Sequence, residues 1–185
     1  MAADGGRFVV KFYCLDVTQA LLDRLGRDPS TGQLPEQLSL ARALSFFDQD
    51  QVKLVAYSRV EAVSGKEAAA DNTRKAIYLE PAPGGGMVQR TSEWDEGASV
   101  RIVPTVDRDG RVHIEGAYAL KAINSRAPLV GVEKLDLGRP LTHATQTINP
   151  AVVLRPGEAR MMNALNSGNV DTERVLLVTV DKLAD

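Results

Sequence analysis

The sequence predicts an α+β protein, mainly antiparallel β-hairpins with two short N-terminal helices packed on one face. Three observations predict it. Apolar and polar residues alternate over long runs, a D-x-D-G turn separates two of those runs, and helical leucine spacing is confined to the first 47 residues.

Taken in order, Phe8-Val9-Val10-Lys11-Phe12-Tyr13-Cys14-Leu15 is β-branched and aromatic and reads as a buried strand. All four phenylalanines (Phe8, Phe12, Phe46 and Phe47) fall within the first 47 residues, so an aromatic cluster is expected there. Asp16 or Thr18 can cap a helix through Leu25, with Leu21, Leu22 and Leu25 on one face and Gly26 ending it. Residues 27–33 form a loop. Pro35 suits a first helical turn, and Leu38, Leu40, Ala41, Leu44 and Phe47 give residues 35–48 an amphipathic face.

From Val52 the period becomes two. Val52, Leu54, Ala56, Ser58, Val60 and Ala62 share one side of a long strand, with Lys53, Tyr57, Arg59 and Glu61 on the wet side. Ser64-Gly65-Lys66 turns the chain, a strand is expected at Ala76–Glu80, and Pro81–Gly86 reads as an exposed tip. Val100, Ile102, Pro104 and Val106 then alternate up to Asp107-Arg108-Asp109-Gly110, and Val112, Ile114, Gly116, Tyr118 and Leu120 alternate after it. That is a hairpin. Residues 124–142 cross between sheet elements. A second hairpin is expected from Gln146–Leu154 to Glu158–Met162 around Arg155-Pro156-Gly157, and Arg174–Val180 is an apolar final strand.

Composition restricts function. With 185 residues, 44% hydrophobic and 25% charged, the chain suits one domain over 1–185: a strand and helix over 1–34, then a helix and β-rich core over 35–185. Twenty-two basic residues against 24 acidic ones argue against a nucleic-acid partner. The lone cysteine, Cys14, excludes an internal disulfide and a thiolate zinc cage. No apolar run approaches the ~18 residues of a transmembrane helix, so membrane contact would come only through strands of an oligomer. Met1–Gly6 lacks the apolar core of a signal peptide. A periplasmic or outer-membrane location is expected if a leader was removed, and a cytoplasmic one otherwise.

Little here suggests catalysis. Asp107 and Asp109 resemble the start of a calcium loop, but Arg111, His113 and Glu115 follow where further ligands would be needed, so a plain turn is expected. Gly84-Gly85-Gly86 lacks the lysine and helix start of a phosphate loop. His113 sits in a strand, His143 has no carboxylate near it in sequence, and Cys14 is a small hydrophobe in an apolar strand. Glu93, Asp95 and Glu96 around Trp94 read as a solvated acidic turn, or as the acids of a shallow hydrolase cleft. No catalytic residue, metal or cofactor is expected.

The order of elements from Leu38 to Leu183 resembles the C-terminal domain of bacterial secretins, the ring-forming outer-membrane channels of secretion systems and type IV pili. The helix at Leu38–Phe47 leads into the strand Val52–Val60 and the small-residue turn Ser64–Ala68. Gly97–Val106 with Asp109–Ile114 looks like the family's segment of glycine, alternating strand, proline, turn and strand. Ala151–Met162 is similar to its later hairpin, Arg174–Val180 to its terminal strand, and Phe8–Leu15 to the strand opening the domain. Where the family carries a Val-Pro-x-Leu-Gly-x-Ile-Pro type stretch, Asn163–Glu173 is brief and polar, so the domain is expected to be shortened and divergent.

The resemblance implies a non-catalytic, ring-forming homo-oligomer of a secretion, pilus or envelope assembly, with other secretion or envelope proteins as further partners. Sheet edges near Val100–Leu120 and Val152–Met162 are expected at subunit contacts, with Arg101, Arg111, Val112, Ile114, Glu115, Val152 and Leu154 as the contact residues. The alternative is a stand-alone structural or binding module of a phage or envelope complex without channel activity. A hydrolase ranks third.

Overall fold

The alternating runs pair into two sheets that face one another. The computed structural model describes residues 6–28, 30–31, 38–39, 41–42, 45, 51–80, 90–124, 142–165, 167 and 171–183. In chain order the elements are β1 (Arg7–Thr18), α1 (Gln19–Arg24), β2 (Leu38–Ser39), β3 (Val52–Val63), β4 (Ala68–Glu80), β5 (Arg90–Val106), β6 (Val112–Asn124), β7 (Thr142–Ile148), β8 (Ala151–Leu154), β9 (Glu158–Leu165) and β10 (Thr172–Lys182). The first sheet runs β2-β9-β10-β1-β3 and the second β4-β5-β6-β7, with β8 pairing β6 beyond the end of β7. Every pairing is antiparallel.

The core follows from period two. Phe8, Val10, Phe12 and Cys14 of β1 point inward with Leu176, Val178 and Val180 of β10. They meet Val100, Ile102, Val112, Ile114, Tyr118, Leu120, Val152 and Leu154 of the second sheet. Phe12 stacks on Tyr118 with ring centroids 5.9 Å apart. The odd-numbered Leu15, Val17, Val175 and Leu177 point to the other face, where Leu21, Leu22 and Leu25 of α1 and its C-terminal end cover them. Burying such side chains contributes roughly 1.5–3 kcal/mol each. β10 is apolar on both faces because it lies mid-sheet between the inter-sheet core and the α1 layer.

α1 ends as expected: Gly26 takes φ +94° and Arg27 N–H donates to the Leu22 carbonyl at 3.2 Å. Its start does not. Thr18 occupies the N-cap position without a side-chain cap bond, and Asp16 is engaged by Arg174 instead.

The second N-terminal helix is not borne out. Among the described residues of 35–48, Leu38–Ser39 form β2 on the β9 edge and only Ala41–Arg42 are helical; the rest of the span, Phe46 and Phe47 included but Ser45 excepted, lies outside the described residues. An unpaired β9 edge offers backbone partners that amphipathic spacing does not reveal.

The β5–β6 hairpin forms around Asp107–Gly110 as expected, with Gly110 at φ +75°. The second hairpin does not form. β8 pairs with β6 of the second sheet, whereas β9 pairs with β10 of the first. Arg155-Pro156-Gly157 is therefore a corner between sheets, held by Gly157 N–H on the Val180 carbonyl at 3.0 Å. β4 begins at Ala68, well before Ala76, because β5 pairs with it along its whole length despite poor local propensity. Glu93–Glu96 lie in strand β5, not in a turn.

Leu54 departs from its expected side. Cys14 pairs with Ala56 but Leu15 with Leu54, so β3 bulges at Val55. Val55 turns to the core, and Leu54 is left 49% exposed. The tip at 81–86 and the crossover at 125–141 lie outside the described residues.

Candidate functional site: strand edges and the mouth of the sandwich

The catalytic candidates resolve into structural roles or separate positions. Asp107 Oδ1 accepts the N–H groups of Asp109 and Arg111, both at 2.9 Å, and its Oδ2 lies 3.0 Å from His113 Nε2. Those bonds hold its carboxyl below the usual value, His113 contributing most. The carboxylate that would start a calcium loop is thus spent on the hairpin turn. Cys14 is buried, and burial pushes its thiol up to about 12, far from a nucleophilic thiolate. In backbone register His143 pairs with Ile123 across the β6–β7 ladder. Asp95 and Glu96 are adjacent on a strand and so point to opposite faces. Asp95 meets Lys121 at 3.4 Å and Glu96 meets Arg74 at 3.6 Å, so the two acids do not converge.

The expected contact residues divide in two. Val112, Ile114, Val152 and Leu154 pair across β6 and β8 and are buried in this chain's own core. Arg101, Arg111 and Glu115 are exposed. Arg101 pairs with Glu67 at 3.7 Å, and its strand neighbour on β6 is Ala117. Moreover, β5 and β6 are interior strands, each flanked on both sides. Alternation alone cannot tell an inner strand from an edge.

The edges of the second sheet are β4 on one side and β7 with β8 on the other. Among the described residues, no strand pairs with the outer side of the 13-residue β4. Asp71 Oδ1 accepts the Thr73 N–H at 3.0 Å, and Arg74 and Lys75 add charge, features that discourage indiscriminate edge pairing. On the first sheet, Asn72 Nδ2 donates to the Tyr57 carbonyl of the edge strand β3 at 3.0 Å.

Between the sheets, at the end where β10 begins, lies a polar mouth that no sequence motif signals. Its members are spread over five strands, and strand register together with the stacking of the two sheets brings them together. Arg174, Asp16 and Lys53 are successive partners across β10, β1 and β3, and Arg74 and Glu96 oppose them from the second sheet. Arg174 is only 7% exposed. Its Nε and Nη2 donate to the Asp16 carboxylate at 2.7 and 2.9 Å, which more than offsets the burial of its charge. Nη1 has no partner. Just inside, the Tyr118 hydroxyl lies against the Cys14 thiol, and burial raises its pKa.

Among the described residues, a two-sheet antiparallel sandwich with α1 on its outer face and no strand beyond either edge of the second sheet defines the class, and comparison with solved structures gives it a family likeness. The secretin InvG of the Salmonella SPI-1 type III secretion injectisome matches at TM-score 0.50 and 12% identity, over 99% of this chain and 66% of that one. InvG in the basal-body structure with PrgH and PrgK matches at TM-score 0.50 and 12% identity, over 99% of this chain and 47% of that one. The type IV competence pilus secretin PilQ of V. cholerae matches at TM-score 0.44 and 11% identity, over 100% of this chain and 63% of that one. This chain therefore has a divergent secretin-like fold, and it spans less than two thirds of the length of these three solved chains. No protein-family model matches the sequence, and no curated protein is significantly similar to it.

Proposed function

We propose that this chain is a non-catalytic subunit of a homo-oligomeric ring in a bacterial secretion, pilus or envelope assembly. The observation that carries the reading is a secretin-like fold whose second sheet leaves β4 and β7–β8 without strand partners on their outer sides among the described residues. Pairing β4 of one subunit with the β7–β8 edge of the next would satisfy both rows of backbone groups and close the ring. Charged groups on the β4 edge, Asp71 and Arg74, would then set register and reject wrong partners more than add affinity, with Arg101, Arg111 and Glu115 contributing only from the exposed face of the interior strands. The location consistent with this role is the periplasm or outer membrane, with other secretion or envelope proteins as partners. Negative-stain images of the purified chain test the reading: closed rings are expected, and uniformly monomeric particles would overturn it.

The second reading, a stand-alone structural or binding module of a phage or envelope complex, is favoured by the short polar sequence Asn163–Glu173, which spans the link between the antiparallel partners β9 and β10. Small rings that fail to co-float with lipid vesicles would select it.

A further inference from the structure

We propose that Asp71 is a lock on the β4 edge, an inference that rests on the ring reading: its carboxylate holds the Thr73 N–H that the β7–β8 edge of a second copy of this chain would take, and assembly requires it to let go. The direction of the backbone groups carries this. In an antiparallel ladder, successive residues bond to the strand on one side and then to the strand on the other. The Asn72 carbonyl lies against Gly97 of β5, the Pro104 carbonyl accepts from Gly65 on the β4 side, and the Arg101 carbonyl lies against Gly116 of β6. Even-numbered residues of β4 therefore bond to β5, and Ala69, Asp71 and Thr73 turn their backbone groups outward. Among the described residues no strand meets that side. Asp71 Oδ1 accepts the outward Thr73 N–H at 3.0 Å, and the Thr73 hydroxyl and N–H together hold the carboxyl below its usual value.

The opposite edge matches. Residues 142–154 run against β6 in one register, Ile148 opposite Tyr118 and Ala151 opposite Glu115, so β7 and β8 make a single edge as long as the 13-residue β4. The same alternation, carried across β5 and β6, sends the backbone groups of Thr145, Thr147 and Ala151 outward. Pro150 falls opposite Gly116, so its missing N–H is on the β6 side and leaves the open edge intact. β4 and β7 are antiparallel across the sheet, so a second copy in the same orientation continues the alternation. On both edges the even-numbered residues, among them Ala70, Ile148, Val152 and Leu154, pack into the core. Pairing the outward odd-numbered residues therefore sets the core face of one copy beside that of the next. The arriving edge offers Thr73 a neutral carbonyl in place of a carboxylate, a weaker acceptor, so this one exchange opposes assembly until the rest of the ladder offsets it.

Native mass measurement across a concentration series reads the lock. Asp71→Ala is expected to assemble at roughly tenfold lower concentration than the unaltered chain, because no charge-assisted bond has to break. Asp109→Ala, which removes an equal charge from the β5–β6 turn, should match the unaltered chain. In monomers the Thr73 amide should exchange with solvent faster in Asp71→Ala, and in its assemblies that amide should become protected. Thr147→Pro, which removes one outward donor and spares the β6 side, should abolish assembly of Asp71→Ala. An Asp71→Ala midpoint equal to or above that of the unaltered chain, or assemblies that survive Thr147→Pro, would overturn the lock and leave the ring reading standing. Monomers from every chain at every concentration would overturn both.

Discussion

Gly97 pairs with Thr73 of β4 at φ +131°, and a Cβ there would lie 2.3 Å from the Asn72 carbonyl oxygen. Gly97→Ala should therefore destabilise the fold by about 1–3 kcal/mol, read as a lower urea midpoint with an unchanged slope. Asp107 gives a pH signature. Its folded-state carboxyl titrates below the ordinary 3.8, so its contribution is complete above that value and is lost as pH falls through the folded one. Urea melts between pH 6 and 2 should show that acid loss, and Asp107→Asn should flatten it. Asp16→Ala strands the buried Arg174 charge and is expected to cost roughly 3–5 kcal/mol in the same assay. At this scale the sequence was partly readable. The Asp107–Gly110 turn announces itself through residues that tolerate a tight bend, whereas Leu54 was placed on the wrong side because a one-residue bulge leaves no local mark.

Among the elements, β1 and β10 lie side by side at the centre of the first sheet and supply much of the core. Phe12→Ala, which empties the space against Tyr118, should cost about 3–5 kcal/mol by chemical denaturation. α1 is held more lightly. Arg27 bonds Asp23 at 2.8 Å, Gln19 at 3.0 Å and the Glu173 carboxylate, fastening the helix to the start of β10. Arg27→Ala should raise amide exchange across residues 19–26 while leaving β10 protected. Strands with clean alternation could be read from residues alone. The corner at Arg155-Pro156-Gly157 could not, because a hairpin and a crossing between sheets use the same turn chemistry. Nor could β2: leucines at helical spacing satisfy a helix, and only the waiting edge of β9 selects a strand.

For the whole molecule, the secretin-like fold was visible in the order of its segments, since each alternating run keeps its place along the chain. Where subunits would meet was not. Val112, Ile114, Val152 and Leu154 alternate as contact residues would, yet they close the chain's own core. The polar mouth was equally hidden, because its residues become neighbours only once two sheets are stacked. Among the described residues, edge strands of both sheets lack outer partner strands, and the ring reading holds that copies of this chain close those of the second sheet. Native mass measurement of the purified chain at micromolar concentration tests it most directly. The account predicts a discrete species at a whole-number multiple of 20.0 kDa, with ring-sized stoichiometry. A single species at 20.0 kDa across the concentration range would contradict it.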